Sequence, residues 1–527
     1  MSGLWPLALA EVRLRLRRMS TVIVLLLTLV LSWMIVVDPR TGFAMMVIHK
    51  ARTAYESGTV AFGSACMASV LLSLFGFYLV RGRSSLDLHS GCAGLIATTA
   101  TSNRRLLASR WLGAMAYLML LELALVLGGC VLQLIRGEGP LQPWVFVQTY
   151  ALMLTPTLMA VASFALLADA WGPLMGRKGD VAYFFVWVAQ FAVLPATLVP
   201  GQIHFSPVQA LDASGLAAAA TRLAVLMDTT TVAIGGSTFD ASLPIRYFPE
   251  GFWSGDLVGL RLATAVIALV VAASAVPLFH RFDPRRVRSV AASRPSWLRR
   301  SMRVLMTPAR WPAMHLLRLA PRLGGPLGAY LADISLTLLA NPWAVVAIVV
   351  LAGVGQIAPM AKLPAMVAAA CCLWGLLISD LSARDMSSRT RDLVAAAPGG
   401  DSRRFWRQWL CTVGLGLLFT LPVAVPVGNL ELLWTLICGL VLASALASAL
   451  GHFTRSGRGF LVLFLFGFYV SLQVPGSPWL DWFGFNGVAT SGTRALSLGG
   501  AALALALVTA GRGTLGISAD KSAAGRE

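Results

Sequence analysis

DLHSGCAGLIATTATSNRRLLASRWL, residues 87–112, recurs without a gap as DMSSRTRDLVAAAPGGDSRRFWRQWL, residues 385–410. Asp87 and Asp385, Leu95 and Leu393, Arg105 and Arg403, and Trp111-Leu112 and Trp409-Leu410 all fall in register. A second pair stands upstream, LAEVRLRL (9–16) and LADISLTL (331–338), each leading straight into a long apolar run. Leu9, Val12 and Leu16 return as Leu331, Ile334 and Leu338, and Glu11 returns as Asp333. Two halves with the same polar punctuation around apolar runs describe a duplicated scaffold.

Composition places that scaffold in a membrane. The chain of 527 residues is 57% hydrophobic and 12% charged, with mean hydropathy +0.75. A soluble protein of this size needs far more charge to cover its surface. Apolar runs of roughly 17–25 residues are long enough to cross a hydrocarbon core of about 30 Å as helices. They fall near 21–37, 59–80, 111–135, 144–168, 181–200 and 257–280, then near 343–359, 363–381, 409–427, 430–450, 459–474 and 488–511. The expected fold is an all-α polytopic membrane protein of about twelve transmembrane helices in two six-helix repeats. Residues 1–290 form the first six-span unit, 291–330 a basic cytoplasmic linker and 331–527 the second unit. No small-residue cleavage site closes the first run, so it reads as a retained anchor and not a removed signal peptide.

The net charge of +19 raises nucleic-acid binding, and its distribution argues against that. Segment 281–322 holds eleven Arg against Asp283, whereas loop 201–256 holds two Arg against five acids. Basic residues gather in alternate loops, which is the positive-inside pattern, and it puts both termini in the cytoplasm. Trp111, Trp343 and Trp409 then mark inner span ends, with Trp144, Trp253, Trp479 and Trp482 at outer ones. Topology accounts for the charge without nucleic acid. The seven cysteines lie in spans or an inner loop, so no disulfide framework is implied. His89 and Cys92 are spaced for one helix face, but two ligands without a third make no metal site.

Two inner elements carry the functional expectation. On a helix, Leu9, Val12 and Leu16 make one apolar stripe, while Arg13, Arg15, Arg17 and Arg18 point largely elsewhere. Such a helix lies in the membrane interface with its arginines toward anionic lipid. Glu11, Leu16, Asp333 and Leu338 mark the two copies. The second element follows Asp87: an apolar patch with Leu95 and Ile96, then Arg104 and Arg105. Its other copy runs Asp385, Leu393, Val394, then Arg403 and Arg404. A carboxylate, a short amphipathic turn and a basic exit suit a surface helix that docks in a partner's groove.

In these motifs the chain resembles the permease subunits of ABC exporters of the ABC-2 type. That family carries an acidic-apolar interfacial helix before span 1 and an Asp/Glu…Leu-Leu-Ala-Thr-Pro…Arg-Arg-like loop between spans 2 and 3. The first copy here reads Gly94-Leu95-Ile96-Ala97-Thr98-Thr99-Ala100, without the proline; the second reads Asp392-Leu393-Val394-Ala395-Ala396-Ala397-Pro398, with it. The family has one six-span unit per chain and dimerises, and this chain carries two such units. The resemblance implies that Asp87, Leu95, Ile96, Arg104, Arg105, Asp385, Leu393, Val394, Arg403 and Arg404 receive motion from ABC ATPase subunits. It also implies short re-entrant helices within loop 201–256.

No Gly-Lys-Ser/Thr string occurs, so the chain has no phosphate-cradling loop of its own. Leu496-Ser497-Leu498-Gly499-Gly500 is superficially similar to an ABC signature but falls inside the last expected span. ATP and Mg are therefore expected on a partner ATPase, in two copies, and not on this chain. A bacterial inner (plasma) membrane is the expected location, with membrane lipids as further partners. The substrate class is hydrophobic or amphipathic. Glu122, mid-span, is a functional-site candidate by its cost in hydrocarbon, with Gln190 and Gln148-Thr149-Tyr150 as candidate partners. Arg261 and Arg494 are expected to snorkel or pair. The alternative reading is a twelve-span proton-coupled secondary transporter, for which Glu122 would serve as the relay. A membrane-embedded enzyme would need clustered His, Asp or Glu at one depth, a pattern not seen here.

Overall fold

The computed structural model describes residues 3–197, 204–229, 232–282, 307–379, 381, 400–454 and 456–524, with backbone alone at 89, 400, 401 and 511–524. Asp385, Leu393 and Val394 lie outside the described residues. The chain divides into two compact units, Met1–Ser293 and Arg294–Glu527. Among the described residues, nine helices are long and apolar enough to cross a membrane, and two further bent helix pairs reach that length together. The protein is a helical, multi-pass membrane protein.

Unit 1 begins with α1 (Leu4–Leu16) and α2 (Met19–Ile35), which meet at 72°. The break falls at Arg17-Arg18, where Arg18 turns extended. The Arg15 carbonyl accepts from the Arg18 N–H at 3.3 Å and from the Thr21 hydroxyl at 2.6 Å, so Thr21 ties the start of α2 to the end of α1. Then come α3 (Ser57–Val80), α4 (Arg83–His89), α5 (Cys92–Thr98) and α6 (Asn103–Arg136). Gly82, at φ 95°, interrupts the helical ladder between α3 and α4, which run on as one apolar stretch from Ser57 to Leu88, and Gly91, at φ 76°, separates α4 from α5. Next are α7 (Pro143–Ala170), α8 (Arg177–Gln190), α9 (Val193–Thr197), α10 (Leu216–Met227) and α11 (Gly255–Leu278).

Helix α3 forms the middle of this unit. Its small residues Gly63, Ser64, Ala65, Ala68 and Ser69 let neighbours approach closely, as membrane helix packing requires. A Cβ on Gly63 would stand 2.9 Å from the Met45 side chain.

The helical fold expected from the sequence has one small exception, a sheet at one end of unit 1. Strands β1 (Phe43–Ile48), β2 (Ala51–Arg52) and β3 (Val232–Thr238) form an antiparallel sheet in the order β2-β1-β3. His49 and Lys50, both at positive φ, close the β1–β2 hairpin. The partner strand β3 lies far along the chain, in a Gly-containing stretch without clear alternation, so local pattern did not reveal it. Loop 201–256, expected to hold short re-entrant helices, contains α10 and β3. We call this the sheet end and the opposite end, rich in arginine, the basic end.

Unit 2 runs α12 (Arg310–Leu323), α13 (Gly325–Ala340), α14 (Pro342–Ile357), α15 (Leu363–Ile378), α16 (Gly400–Ala424), α17 (Leu430–Thr454), α18 (Arg458–Gln473) and α19 (Ser491–Ala524). Helices α13 and α14 meet at 98°, at Asn341-Pro342, where proline ends the preceding helix. Trp374 is fully buried and donates its indole N–H to the Thr412 carbonyl at 2.9 Å. Helix α12 and the start of α13 occupy the stretch expected as a linker. The run expected as span 459–474 is the 16-residue α18, about 24 Å long and short of a hydrocarbon core.

At the sheet end, Glu138 ties the hairpin to α6. It accepts from Arg52 Nη1 at 2.9 Å and from the Tyr55 N–H at 3.1 Å. The Arg52 hydrogen bond holds its carboxyl below the usual range. A depressed folded pKa gives a contribution present above the unfolded value and lost as pH falls through the folded one. Amide-exchange protection of residues 43–56, corrected for intrinsic rates, should fall with acidification below the ordinary carboxylate range. Glu138→Gln should flatten that dependence; an identical profile in the variant would exclude Glu138 as its source.

Candidate functional site

The basic end of unit 1 holds a buried ionic network that joins five helices. Glu11 on α1 accepts from Arg83 Nε with both carboxylate oxygens at 3.0 Å. Arg83 in turn reaches Asp87, one turn along α4, at 2.9 Å. Asp87 is 2% exposed and also pairs with Arg110 on α6. Arg110 donates onward to Ser84 Oγ at 3.1 Å. Backbones meet closely here, since a Cβ on Gly113 would lie 2.6 Å from that of Glu11.

A second branch starts at Arg81, just past α3. Arg81 pairs with Asp180 on α8, lies 3.8 Å from Asp169 on α7, and donates to the carbonyls of Leu174 and Gly176. Asp169 does something more specific. Its carboxylate accepts from the N–H groups of Gly82 at 3.0 Å and Arg83 at 2.8 Å, at the start of α4. Gly82 has no side chain to cap α4, so α7 supplies the cap across the fold. Arg15 closes α3 in the same way, donating to the Val80 carbonyl at 3.2 Å. Four acids (Glu11, Asp87, Asp169, Asp180) face four arginines (Arg15, Arg81, Arg83, Arg110). The four acids pair with Arg81, Arg83 and Arg110, and Arg15 is held by its carbonyl hydrogen bond, which is how buried charge is accommodated.

The network is the base from which α5 projects. Ala93 packs inward with Leu107, Phe279 and Phe282, and Ile96 borders that cluster. Arg281 donates to the Ile96 carbonyl at 3.2 Å and to Thr99 Oγ1 at 3.0 Å, tying α5 to the end of α11. Leu95 turns the other way and is 72% exposed. Arg104 and Arg105, at the start of α6, are exposed as well.

The sequence-expected residues therefore separate. Asp87 and Glu11 belong to the buried network, while Leu95, Arg104 and Arg105 form a surface. In unit 2, Asp333 pairs with Arg407 at 2.6 Å and Arg404 at 3.5 Å, and Arg403 is exposed. The matched stripes meet different surroundings. Leu9 and Leu16 are 38% and 43% exposed, whereas Ile334 and Leu338 are both 4% exposed. On α1 the inward face is Ala8 and Glu11; on α13 the stripe itself faces inward. Arg83, Arg110, Arg81, Asp169 and Asp180 were not singled out from sequence. The available signal was Asp169 and Asp180, two acids bracketing a span end on the arginine-rich side.

Within the spans, Glu122 is buried and accepts from Thr155 Oγ1 at 3.0 and 3.2 Å. No hydrogen bond joins it to Gln190, and Tyr150 instead donates to Ser64 Oγ at 2.9 Å. Arg261 does not snorkel: it is 1% exposed and donates to carbonyls of Leu152 (3.2 Å), Met153 (2.7 Å), Asp212 (3.3 Å) and Ala213 (3.2 Å). Pro156 sits four residues after Leu152 inside α7. It removes the N–H that would have bonded the Leu152 carbonyl, and Arg261 replaces that donor. Arg494 pairs with Glu431. Among the described residues no three His, Cys, Asp or Glu stand close enough to hold a metal. No protein-family model, curated protein or solved structure matches the chain.

Asp87→Asn leaves Arg110 buried without its counter-charge, a change that costs about 3–5 kcal/mol when a buried pair is broken. Thermal unfolding in detergent should show a clear drop in midpoint, partly recovered by the double change Asp87→Asn with Arg110→Gln. An unchanged midpoint in the single variant would remove the pair from the fold's stability.

Proposed function

We propose that the chain is the membrane-spanning permease of an ATP-driven exporter of the ABC-2 type, with two six-span units in one polypeptide. The observation that carries this reading is α5. Leu95, 72% exposed in the middle of the seven-residue α5, with Arg104 and Arg105 exposed at the start of α6, offers an apolar contact that a partner's groove would cover. The helix behind it is held by buried ion pairs, so a push on Leu95 reaches α1, α3, α6 and α7 through fixed contacts. That is the arrangement a motor subunit requires of its receiving element.

On this reading the basic end faces the cytoplasm of a bacterial inner membrane, with both termini on that side. ABC ATPase subunits, in two copies, bind ATP and Mg and dock on α5 and on the corresponding loop of unit 2. The substrate is hydrophobic or amphipathic and leaves the cytoplasm. Glu122 supports the alternative, a proton-coupled transporter, because its carboxylate sits within a span with a single threonine donor.

The two readings separate in one preparation. Tagged chain purified from its host membranes should carry ATP hydrolysis, and in liposomes its flux should require ATP. Leu95→Glu should lower the bound ATPase at least several-fold while leaving thermal stability unchanged, since the side chain is exposed. Flux indifferent to ATP but lost on Glu122→Gln would overturn the exporter and favour the proton-coupled transporter.

A further inference from the structure

Unit 2 contains an apolar cleft of about 720 Å³ between α12, α13, α14 and α16. Leu316, Tyr330, Ile334, Ile348, Leu417 and Leu421 line it. Its floor is one face of α16 from Gly414 to Pro422, continued by Val425 just past the helix, a stripe about 16 Å long at the helical rise. At the far end α14 and α16 close together: a Cβ on Gly355 would lie 3.2 Å from the Pro422 carbonyl, and Gln356 donates to that carbonyl at 3.4 Å. The cleft is open along its side, where Leu418 and Val425 stay 42% and 57% exposed.

What fills such a space follows from its surroundings. Helix α16 carries it along a membrane span, so the medium at its open side is hydrocarbon and not water. A narrow apolar cleft of this length takes an acyl chain. Two polar features sit at the opposite end from Gly355. The Tyr330 hydroxyl, beside Gly414, has no hydrogen-bond partner among the described residues. Helix α12, which contributes Leu316, exposes Arg310, Arg318 and Arg322 and contains no acid. The nearest acid, Asp333, is already paired with Arg407. A basic amphipathic helix attracts anionic headgroups.

We propose that this cleft holds one acyl chain of an anionic phospholipid, with Tyr330 at the level of the glycerol esters and the α12 arginines on the phosphate. The inference concerns unit 2 alone and does not depend on what the chain transports. In unit 1 the same register of α6 gives a control. Met119, Leu123 and Leu127 align with Leu417, Leu421 and Val425 and are 47%, 53% and 57% exposed on an open helix face.

The full chain is placed in nanodiscs doped with phosphatidylglycerol bearing a diazirine in one acyl chain, and cross-linked peptides are mapped by mass spectrometry. Labelling of 414–425 should exceed that of 116–127 several-fold. Leu421→Trp, which fills the cleft, should bring it down to the level of 116–127. Because that variant could fail to fold, the exposed pair Arg318→Gln with Arg322→Gln is tested alongside. It should lower labelling by the phosphatidylglycerol probe several-fold with no loss of thermal stability. Equal labelling of the two segments would overturn the proposal. So would equal labelling of 414–425 by the matching phosphatidylcholine probe, or labelling unaffected by the arginine changes.

Discussion

Hydrocarbon offers no hydrogen bonds, and unit 1 is organised around that constraint. A helix can cross such a medium only while its own ladder is complete. Interruptions in unit 1 expose backbone groups, and at several of them a side chain supplies a partner. Thr21 answers the Arg15 carbonyl at the α1–α2 bend, Arg15 answers Val80 at the end of α3, and Asp169 answers the first N–H groups of α4. Arg261 answers the carbonyl that Pro156 frees within α7. Arg136 does the same for Val36 and Trp33 at the end of α2. Buried arginine recurs because its fork can reach several carbonyls and still meet a carboxylate.

This gives the ionic network a double role. Asp169 and Asp180 neutralise Arg81, whose other contacts are the Leu174 and Gly176 carbonyls, and Asp169 also caps α4, so there charge pairing and backbone satisfaction are one structure. Removing a carboxylate would unbalance the charge and loosen a helix end together. The rigidity that results stops at α5, where Leu95 faces outward from a helix tied down at Ala93, Ile96 and Thr99.

The two units share motifs more closely than they share environments. Glu11 meets Arg83 from the start of α4, whereas Asp333 meets Arg404 and Arg407 from α16. The position of Arg110 is Gln408 in unit 2, and that of Glu122 is Thr420, which donates to the Gly416 carbonyl. Unit 2 also carries α12 against α13, with a cleft beside them. A matched acid marks where a helix must be held down, but its partner depends on which neighbour the fold brings within reach.

Much of this was legible in the chain. Apolar length marked the spans, because bilayer thickness sets a length that composition alone reveals. The matched acids marked the two places where a pre-span helix is anchored. Local pattern could not say that Asp87 is buried while Leu95 is exposed, since both sit in a short polar loop with similar neighbours. It read Arg104 and Arg105 as the important basic pair, yet Arg83 and Arg110 hold the carboxylates. It missed the sheet, whose β1 and β3 stand far apart in sequence. Sequence alone determined which segments enter the membrane, through hydrophobic length. Tertiary structure decided which charges are buried partners and which are left at the surface, because pairing requires atoms from distant helices within about 3 Å.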